Sequence, residues 1–297
     1  MKSKVYFSST INSNELIKLF QCLNQPLEGN VAIKLHSGEP GNQNFLGPDF
    51  FKDIINYVGG TVVEANTAYD GERNTSEKHL KALEKHGWTK YFKVDLLDET
   101  GPDLVLPIPN GTIIKENYVG KNIQNYDSML VLSHFKGHPM GGYGGAIKQL
   151  SIGIASSFGK AYIHGAGDPK KIWTADHDSF LSAMADAASS IIDLFKGNIV
   201  YINVMKNMSV DCDCCSVAED PCIKDIGVLI SNDPVAIDQA CIDLVYNSND
   251  PGKDHFIERV ETRNGTHTIN EAAKLGIGSK EYELININEL QKYEMIK

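Results

Sequence analysis

Residues 127–134, Asp-Ser-Met-Leu-Val-Leu-Ser-His, decide how the sequence is interpreted as a fold. Four consecutive apolar residues with no polar alternation are typical of a strand that is buried on both faces, as in a parallel sheet. Similar short apolar stretches occur at 30–35, 61–65 and 198–204, and helical patterns separate them. This alternation predicts an α/β protein with a mainly parallel sheet and helices on both faces.

The predicted helices carry the signals that are expected at helix ends. Pro48 begins a helix that runs to about residue 58, and Asp233, followed by a proline, begins one that runs to about residue 246. A further helix is predicted over residues 146–157, after a glycine-rich segment. Because no repeat or linker interrupts the pattern, we expect a single domain over residues 1–297, with a small C-terminal subregion from about residue 250.

The composition excludes several classes of protein. The chain has 297 residues, of which 42% are hydrophobic, and its formal net charge is −10. Proteins that bind nucleic acids usually carry the opposite charge, so we expect no nucleic-acid partner. No apolar run approaches the roughly 20 residues that span a bilayer, and the N-terminus has no signal-peptide pattern. We therefore expect a cytoplasmic protein with no membrane partner and with reduced cysteines, and the sequence carries no signal for an oligomeric state.

Polar residues follow the predicted strands at the points where the strands end. His36, Asn66 and His134 follow three of them, and Asp233 follows a short apolar strand at 226–230. In an open parallel sheet, ligands bind outside the carboxyl ends of the strands. We therefore expect His36, His134 and Asp233 to surround one cleft.

The stretch 128–167 contains no Asp or Glu, although it holds nine of the 26 glycines. The glycines within 141–145 lead directly into a predicted helix, where backbone N–H groups attract anions, and Lys136 or Lys148 would supply a counter-charge. The predicted anion-binding or cofactor-binding residues are Gly141, Gly142, Gly144, Gly145, Lys148 and Asn66. The alternative is a loop whose glycines only allow close packing.

His134 and His138 lie four residues apart, a spacing that places two zinc ligands on one face of a helix. Gly137 and Pro139 disfavour a helix here, and the glutamate of a zinc-protease motif is missing. The pair could bind a metal ion from a loop, or act as acid and base near neutral pH. The alternative is histidines without a chemical role. The predicted catalytic residues are His36, His134, His138 and Lys136.

The segment Asp211-Cys212-Asp213-Cys214-Cys215, with Cys222 shortly after it, places four thiols within eleven residues. Thiolates bind zinc and iron–sulfur clusters, although this spacing matches neither a zinc ribbon nor a ferredoxin. The alternative for the cysteines is a loop of reduced thiols that pack locally. The aspartates near residue 235 could instead serve at the start of a helix. The predicted metal ligands are Cys212, Cys214, Asp211, Asp233 and Asp238.

These segments together resemble a bacterial and archaeal family, that of the domain of unknown function 362. The resemblance rests on His36 with the Gly-Glu-x-Gly-Asn that follows it, and on the segments 132–138, 144–148, 211–214 and 231–239. Many members of that family carry a ferredoxin-like insert with eight cysteines and are described as iron–sulfur proteins. The stretch where this insert is expected, 161–178, contains no cysteine. The resemblance therefore favours a divalent metal ion over an iron–sulfur cluster.

The sequence is compatible with three functions. The first is an enzyme that binds a small anionic substrate or cofactor at the His/Gly-rich loop and uses a metal ion or an acid–base pair. The second is an iron–sulfur or thiol redox accessory protein that uses the cysteines within 212–222. The third is a non-catalytic module that binds an anion. We expect the first, with a small anionic molecule as the partner.

Overall fold

The structure is a computed structural model that describes residues 2–289. Its strands are β1 (Ser3–Ser8), β2 (Val31–Lys34), β3 (Thr61–Glu64), β4 (Val94–Leu96), β5 (Leu104–Pro107), β6 (Glu116–Val119), β7 (Ser128–His134), β8 (Lys136–His138), β9 (Gly142–Gly144), β10 (Ile199–Met205), β11 (Gly227–Ser231) and β12 (Tyr282–Asn286). Its helices are α1 (Ser13–Leu23), α2 (Pro48–Val58), α3 (Ser76–Lys85), α4 (Trp88–Tyr91), α5 (Ala146–Leu150), α6 (Ser157–His164), α7 (His177–Leu194), α8 (Pro234–Tyr246), α9 (Lys253–Thr262) and α10 (Thr266–Lys274). None of these helices has both the length and the apolar character needed to cross a membrane.

The central sheet has the strand order β12-β1-β11-β10-β7-β2-β3-β4. β11 runs antiparallel to β1 and to β10, whereas the other neighbouring strands of the described sheet are parallel. The predicted α/β class with a mainly parallel sheet is confirmed. From β2 the chain adds β3 and β4 on one side, and it later adds β7 and β10 on the other. The boundary between β2 and β7 is thus a topological switch point, the place where such sheets bind ligands.

Strand β7 lies near the middle of the sheet and is buried along its whole length. Leu130 and Leu132 belong to the core layer that contains α1, α2, α3 and α4, and Met129 and Val131 belong to the layer that contains α5, α7 and α8. Successive side chains of a strand point to opposite faces, so an uninterrupted apolar run fills both layers. The helices predicted on both faces are present.

The structure departs from the predicted elements mainly after the glycine-rich segment. The helix expected over 146–157 ends at Leu150, and α6 begins only at Ser157. Gly153 lies in the turn between them, where a Cβ atom would come within 2.2 Å of the Gln149 carbonyl oxygen. The predicted C-terminal subregion contributes α10, which packs against α7, and β12, which pairs with β1 in the sheet.

Candidate functional site

A cavity of about 370 Å³ lies at the carboxyl ends of β2, β3 and β7, at the switch point of the sheet. It brings together residues that are distant in the sequence, namely His36 after β2, His134 at the end of β7 and Cys214 after β10. Other predicted site residues in its wall are Lys136, His138, Gly144, Gly145 and Lys148. Its wall also contains residues that sequence reasoning did not assign to the site: Lys34, Glu64, Tyr69, Arg73 and Lys160.

A cluster of two thiols and an imidazole forms part of this site. The ligand atoms of His138, Cys212 and Cys214 all lie within 4.8 Å of one another. The Cys214 sulfur is 3.9 Å from His138 Nε2, and the Cys214 backbone N–H donates to the Cys212 sulfur at 3.4 Å. The group joins the β8–β9 hairpin to the loop after β10, so only the tertiary structure forms it. It could hold a metal ion.

Hydrogen bonding distinguishes the two thiols of this group. The bond from the Cys214 thiol lowers the pKa of Cys212 well below its usual value; burial opposes this effect, and the charge of Lys148 reinforces it. The same bond raises the pKa of Cys214. Cys212 is therefore the thiol of the pair that ionises more readily, and the thiolate is the form that binds metals or attacks electrophiles.

Both ring nitrogens of His134, a predicted catalytic residue, contact polar groups of the loop that follows β10. Its Nδ1 atom lies 3.0 Å from both carboxylate oxygens of Asp213, and its Nε2 atom faces the backbone carbonyl of Lys206. Lys136 Nζ lies 3.0 Å from the same carboxylate, and all three side chains are buried. Although burial alone would raise it, His134 and Lys136 hold the pKa of Asp213 well below its usual range. His134 and Lys136 thus fix the cysteine loop against the end of β7.

His36 lies beside a buried ion pair that the sequence did not reveal. Arg73 Nε donates to Glu39 Oε2 at 2.8 Å, and Arg73 Nη2 donates to the Tyr69 hydroxyl at 3.0 Å. The His36 Nδ1 atom accepts a hydrogen bond from the Gly38 backbone N–H. Burial and the charge of Arg73 lower the pKa of His36 well below its usual value. The His36 ring is therefore neutral at pH 7.

A second buried ion pair joins β2 to β3. Lys34 Nζ lies 2.6 Å from Glu64 Oε2, and Glu64 Oε1 accepts the Ser37 backbone N–H at 2.8 Å. Both side chains are almost completely buried, with exposed fractions of 1% and 4%. The sequence did contain a signal for this pair, since each charged residue ends an otherwise apolar strand.

Two lysines of the cavity differ from the paired cations. The Lys148 ammonium group has no hydrogen-bond or ion-pair partner among residues 2–289. Within the described part of the chain, Lys160 Nζ donates only to backbone carbonyls, at 2.6 Å to Ala155 and 3.4 Å to Ala65. Burial lowers the pKa of Lys160 to about 7. Neither lysine has a carboxylate partner in the described part of the chain, and above pH 7 burial leaves Lys160 mostly uncharged, so the unpaired positive charge of the cavity is then that of Lys148.

Replacing Lys160 with methionine should remove a pH dependence of stability. The pKa of Lys160 is 10.5 in the unfolded chain, and burial lowers it to about 7 in the folded protein. The charges of Lys34 and Arg73 add to this shift, and those of Asp98 and Glu64 oppose it. The unfolded chain then binds the proton more tightly, so the contribution of Lys160 to stability rises with pH between these values. Between pH 7 and 9, the free energy of unfolding measured in urea should rise by about 2 kcal/mol more in the wild type than in the variant. If this free energy depends equally on pH in the two proteins, the lowered pKa of Lys160 is wrong.

The glycine segment does not form the predicted anion site at the start of α5. Asp238 accepts hydrogen bonds from the Ala146 and Ile147 backbone N–H groups at 2.7 and 3.1 Å, which occupies that helix N-terminus. A Cβ atom at Gly145 would lie 2.4 Å from Asp238 Oδ1, and one at Gly142 would lie 2.8 Å from the Gly265 Cα. These glycines, including Gly141, whose N–H donates to His138 Nδ1, serve close packing and local hydrogen bonds. Asp238 is a helix-capping residue and not a metal ligand.

Three further predicted residues are separate from the cavity. Asp233 lies at the opposite edge of the sheet, because β11 runs antiparallel to β10, and it accepts the Val235 and Ala236 N–H groups. The prediction that Asp233 shares a cleft with His36 and His134 is therefore wrong. Asp211 pairs with Arg259 at 3.1 Å and lies outside the cluster of His138 and the two thiols. Asn66 donates to Ser76, faces His79, and does not line the cavity.

Comparisons with known proteins identify the family of the chain. No curated protein matches it. Among solved structures, the lactate racemase apoprotein from Thermoanaerobacterium thermosaccharolyticum is similar, with 16% identity and a TM-score of 0.41 over 67% of this chain and 50% of the other. A crystal structure of a protein from Thermotoga maritima shows 15% identity and a TM-score of 0.43 over 88% of this chain and 58% of the other. This chain thus spans about half to three fifths of the length of those proteins, and the similarity is too low to support any statement on chemistry. The model of the family described as "Domain of unknown function (DUF362)" matches residues 31–243, and the chain belongs to this family.

Proposed function

We propose that the protein is an enzyme that acts on a small organic anion in the cavity, next to a divalent metal ion held by His138, Cys212 and Cys214. One observation carries this proposal. A largely buried group of one nitrogen and two sulfur ligand atoms, all within 4.8 Å, adjoins a cavity in which the Lys148 ammonium group has no described partner. An anion and a metal ion would therefore be bound side by side.

The donor set favours a soft divalent ion such as zinc. Sulfur and imidazole nitrogen are its preferred ligands, and catalytic zinc sites use three protein ligands and leave one position open. Cys214 and His138 line the cavity, so the open position would face it. A metal ion bound there would polarise a carbonyl group or lower the pKa of a bound water.

The surrounding charges support an anionic substrate. Two thiolates balance one divalent cation, so the positive charge of Lys148 is not needed by the metal site. Lys34, Arg73 and Lys136 each have a buried carboxylate partner at 2.6 to 3.0 Å. These pairs hold the cavity wall in place, and Lys148 would bind the anion with a charge-assisted hydrogen bond.

Metal binding tests this proposal directly. Protein purified without air and then dialysed against zinc should bind about one equivalent. Replacing either Cys212 or Cys214 with serine should weaken zinc binding by at least about 100-fold. Even the replacement of a residue that only hydrogen-bonds to a metal ligand lowers metal affinity 10 to 100-fold. Cobalt loading should give a thiolate absorption band that both variants lose. The matched control is Cys222→Ser, since the Cys222 thiol donates to the Met208 carbonyl outside the group.

The outcome that would overturn the metal proposal is equal zinc affinity in the wild type and all three variants. Circular dichroism of each variant separates the loss of a ligand from the loss of the fold. Zinc bound to folded wild type but to neither folded variant supports the assignment.

A thiol redox function is the second candidate, and the orientation of His138 favours it. His138 Nδ1 accepts the Met140 and Gly141 backbone N–H groups at 3.1 and 2.8 Å. The proton of the neutral ring is therefore on Nε2, the atom that faces the Cys214 sulfur, so the ring can donate a hydrogen bond to that sulfur. Metal binding through Nε2 requires this proton to leave.

Mild oxidation of metal-free protein distinguishes the two candidates. A redox function predicts a mass loss of two hydrogens and one disulfide that includes Cys214, reversed by a dithiol. Stoichiometric zinc that protects the thiols from this oxidation would favour the metal site instead.

A further inference from the structure

The mouth of the cavity is apolar, in contrast to its charged interior. Trp173 lies in the segment between α6 and α7 and lines the cavity, although 66% of its surface is exposed. Its indole makes no hydrogen bond to any residue within the described part of the chain. Apolar neighbours in the same wall are Ala68, Pro139, Met140, Ile152 and Ile172. Large exposed apolar side chains at a pocket often mark the place where a ligand is covered.

The charge balance limits the ligand to one negative charge. Three cations of the cavity are neutralised by Glu64, Glu39 and Asp213. Lys160, whose pKa burial lowers to about 7, is mostly uncharged at pH 8, which leaves the charge of Lys148 at that pH. Binding an anion with one charge at Lys148 would leave no excess charge in a partly buried site, and excess charge is costly there. A dianion would leave one negative charge without a partner.

We infer that the cavity binds a monocarboxylic acid with an apolar chain or ring, its carboxylate at Lys148 and its apolar part against Trp173. This inference rests on the proposed function for the anion at Lys148, and it adds the substrate class and a residue that determines specificity. The Lys148 side chain is half-buried next to Gly144 and Lys136, whereas Trp173 is largely exposed. A ligand that spans them therefore needs both a charged end and an apolar end.

Calorimetric titration of the zinc-loaded protein with acetate, butanoate, hexanoate and phenylacetate tests the inference. Full burial of one methylene strengthens binding about fourfold. Since the mouth is partly open, we expect at least about a tenfold gain from acetate to hexanoate. Hexylamine, which has the same chain and the opposite charge, should not bind.

Two variants assign the two ends of the ligand. Lys148→Met should weaken all four acids by at least about tenfold and to a similar extent, since it removes the charge-assisted bond. Trp173→Ala should abolish the dependence on chain length and leave the affinity for acetate unchanged. Leu80→Ala, at an exposed position on α3 outside the cavity wall, is the control. It should change neither the affinity for the acids nor its dependence on chain length.

Fluorescence gives an independent measurement. The protein has two tryptophans, and Trp88 is fully buried with its N–H donating to the Ser37 carbonyl. A change of emission on adding hexanoate therefore reports Trp173, and it should be absent in Trp173→Ala.

The outcomes separate this inference from the proposal on which it rests. Affinity that is independent of chain length, or a chain-length dependence that survives in Trp173→Ala, overturns the inference alone. An affinity that Lys148→Met does not change, or no binding of any acid, overturns the anion site and the inference together. Zinc content is measured on the same samples and is independent of both results.

Discussion

Replacing Asp238 with alanine should lower the free energy of unfolding by at least about 4 kcal/mol. Its buried carboxylate accepts four hydrogen bonds, and each buried donor left without a partner costs about 1–3 kcal/mol. The donors are the backbone N–H groups of Ala146 and Ile147, the Tyr143 hydroxyl and the Asn203 amide, at 2.7 to 3.2 Å. All four would be left inside the core that joins α5 to α8 and β10.

Urea unfolding at pH 8 measures this effect, because burial raises the pKa of Asp238 to about 6 and the carboxylate is then ionised. Gln239→Ala, one residue further along α8, is the matched control. Among residues 2–289 the Gln239 amide donates only to the nearby Asp243, so this change should cost less than about 1 kcal/mol. If the two variants lose equal stability, the capping role of Asp238 is wrong.

Glu64→Ala should destabilise the protein by about 3–5 kcal/mol, the usual cost of removing one partner of a buried ion pair. The change leaves the Lys34 ammonium group buried without its carboxylate and the Ser37 N–H without an acceptor. Against the effect of burial, Lys34 holds the pKa of Glu64 well below 4.5. The stabilisation is thus fully present above pH 4.5 and is lost as the pH falls below that value.

An exposed pair with nearly the same distance provides the control for Glu64→Ala. Lys81 and Glu77 lie 2.7 Å apart on α3, but both side chains are more than two thirds exposed, so Glu77→Ala should hardly change stability. Thermal unfolding and urea unfolding at pH 7 compare the two. The double replacement Lys34→Met with Glu64→Leu should recover most of the loss, since an apolar pair often replaces a buried ion pair without cost. A double variant as unstable as Glu64→Ala would show that the charge left on Lys34 is not the cause.

These ion pairs connect the stability of the fold to the proposed function. The pair of Lys34 and Glu64 fixes the ends of β2 and β3, and Asp213 fixes the cysteine loop through Lys136. Because the paired charges cancel and Lys160 is mostly uncharged at pH 8, the cavity then presents the positive charge of Lys148. The specificity proposed for a monocarboxylate therefore depends on residues that also hold the sheet edge together.

The positions of His36 and His134 at one edge could be predicted from the sequence, but the position of Asp233 could not. Each histidine follows an apolar strand that is predicted to be parallel, and the carboxyl ends of parallel strands lie at the same edge of a sheet. The strand before Asp233 has the same apolar character, yet β11 is antiparallel to its neighbours. Strand direction depends on the connections of the chain, so the apolar pattern does not encode it.

Local sequence by itself determined which segments are buried and where several helices begin, because burial and capping depend on neighbouring residues. It gave the buried strand β7, the start of α2 at Pro48 and the thiols at Cys212 and Cys214 as a chemical cluster. Only the tertiary structure decided that Asp238 occupies the N-terminus of α5, and that His138 meets two cysteines more than 70 residues away. It also decided which lysines of the cavity have no carboxylate partner among residues 2–289. The physical reason is that hydrogen bonds and ion pairs act over a few ångströms, between groups that only the folded chain brings together.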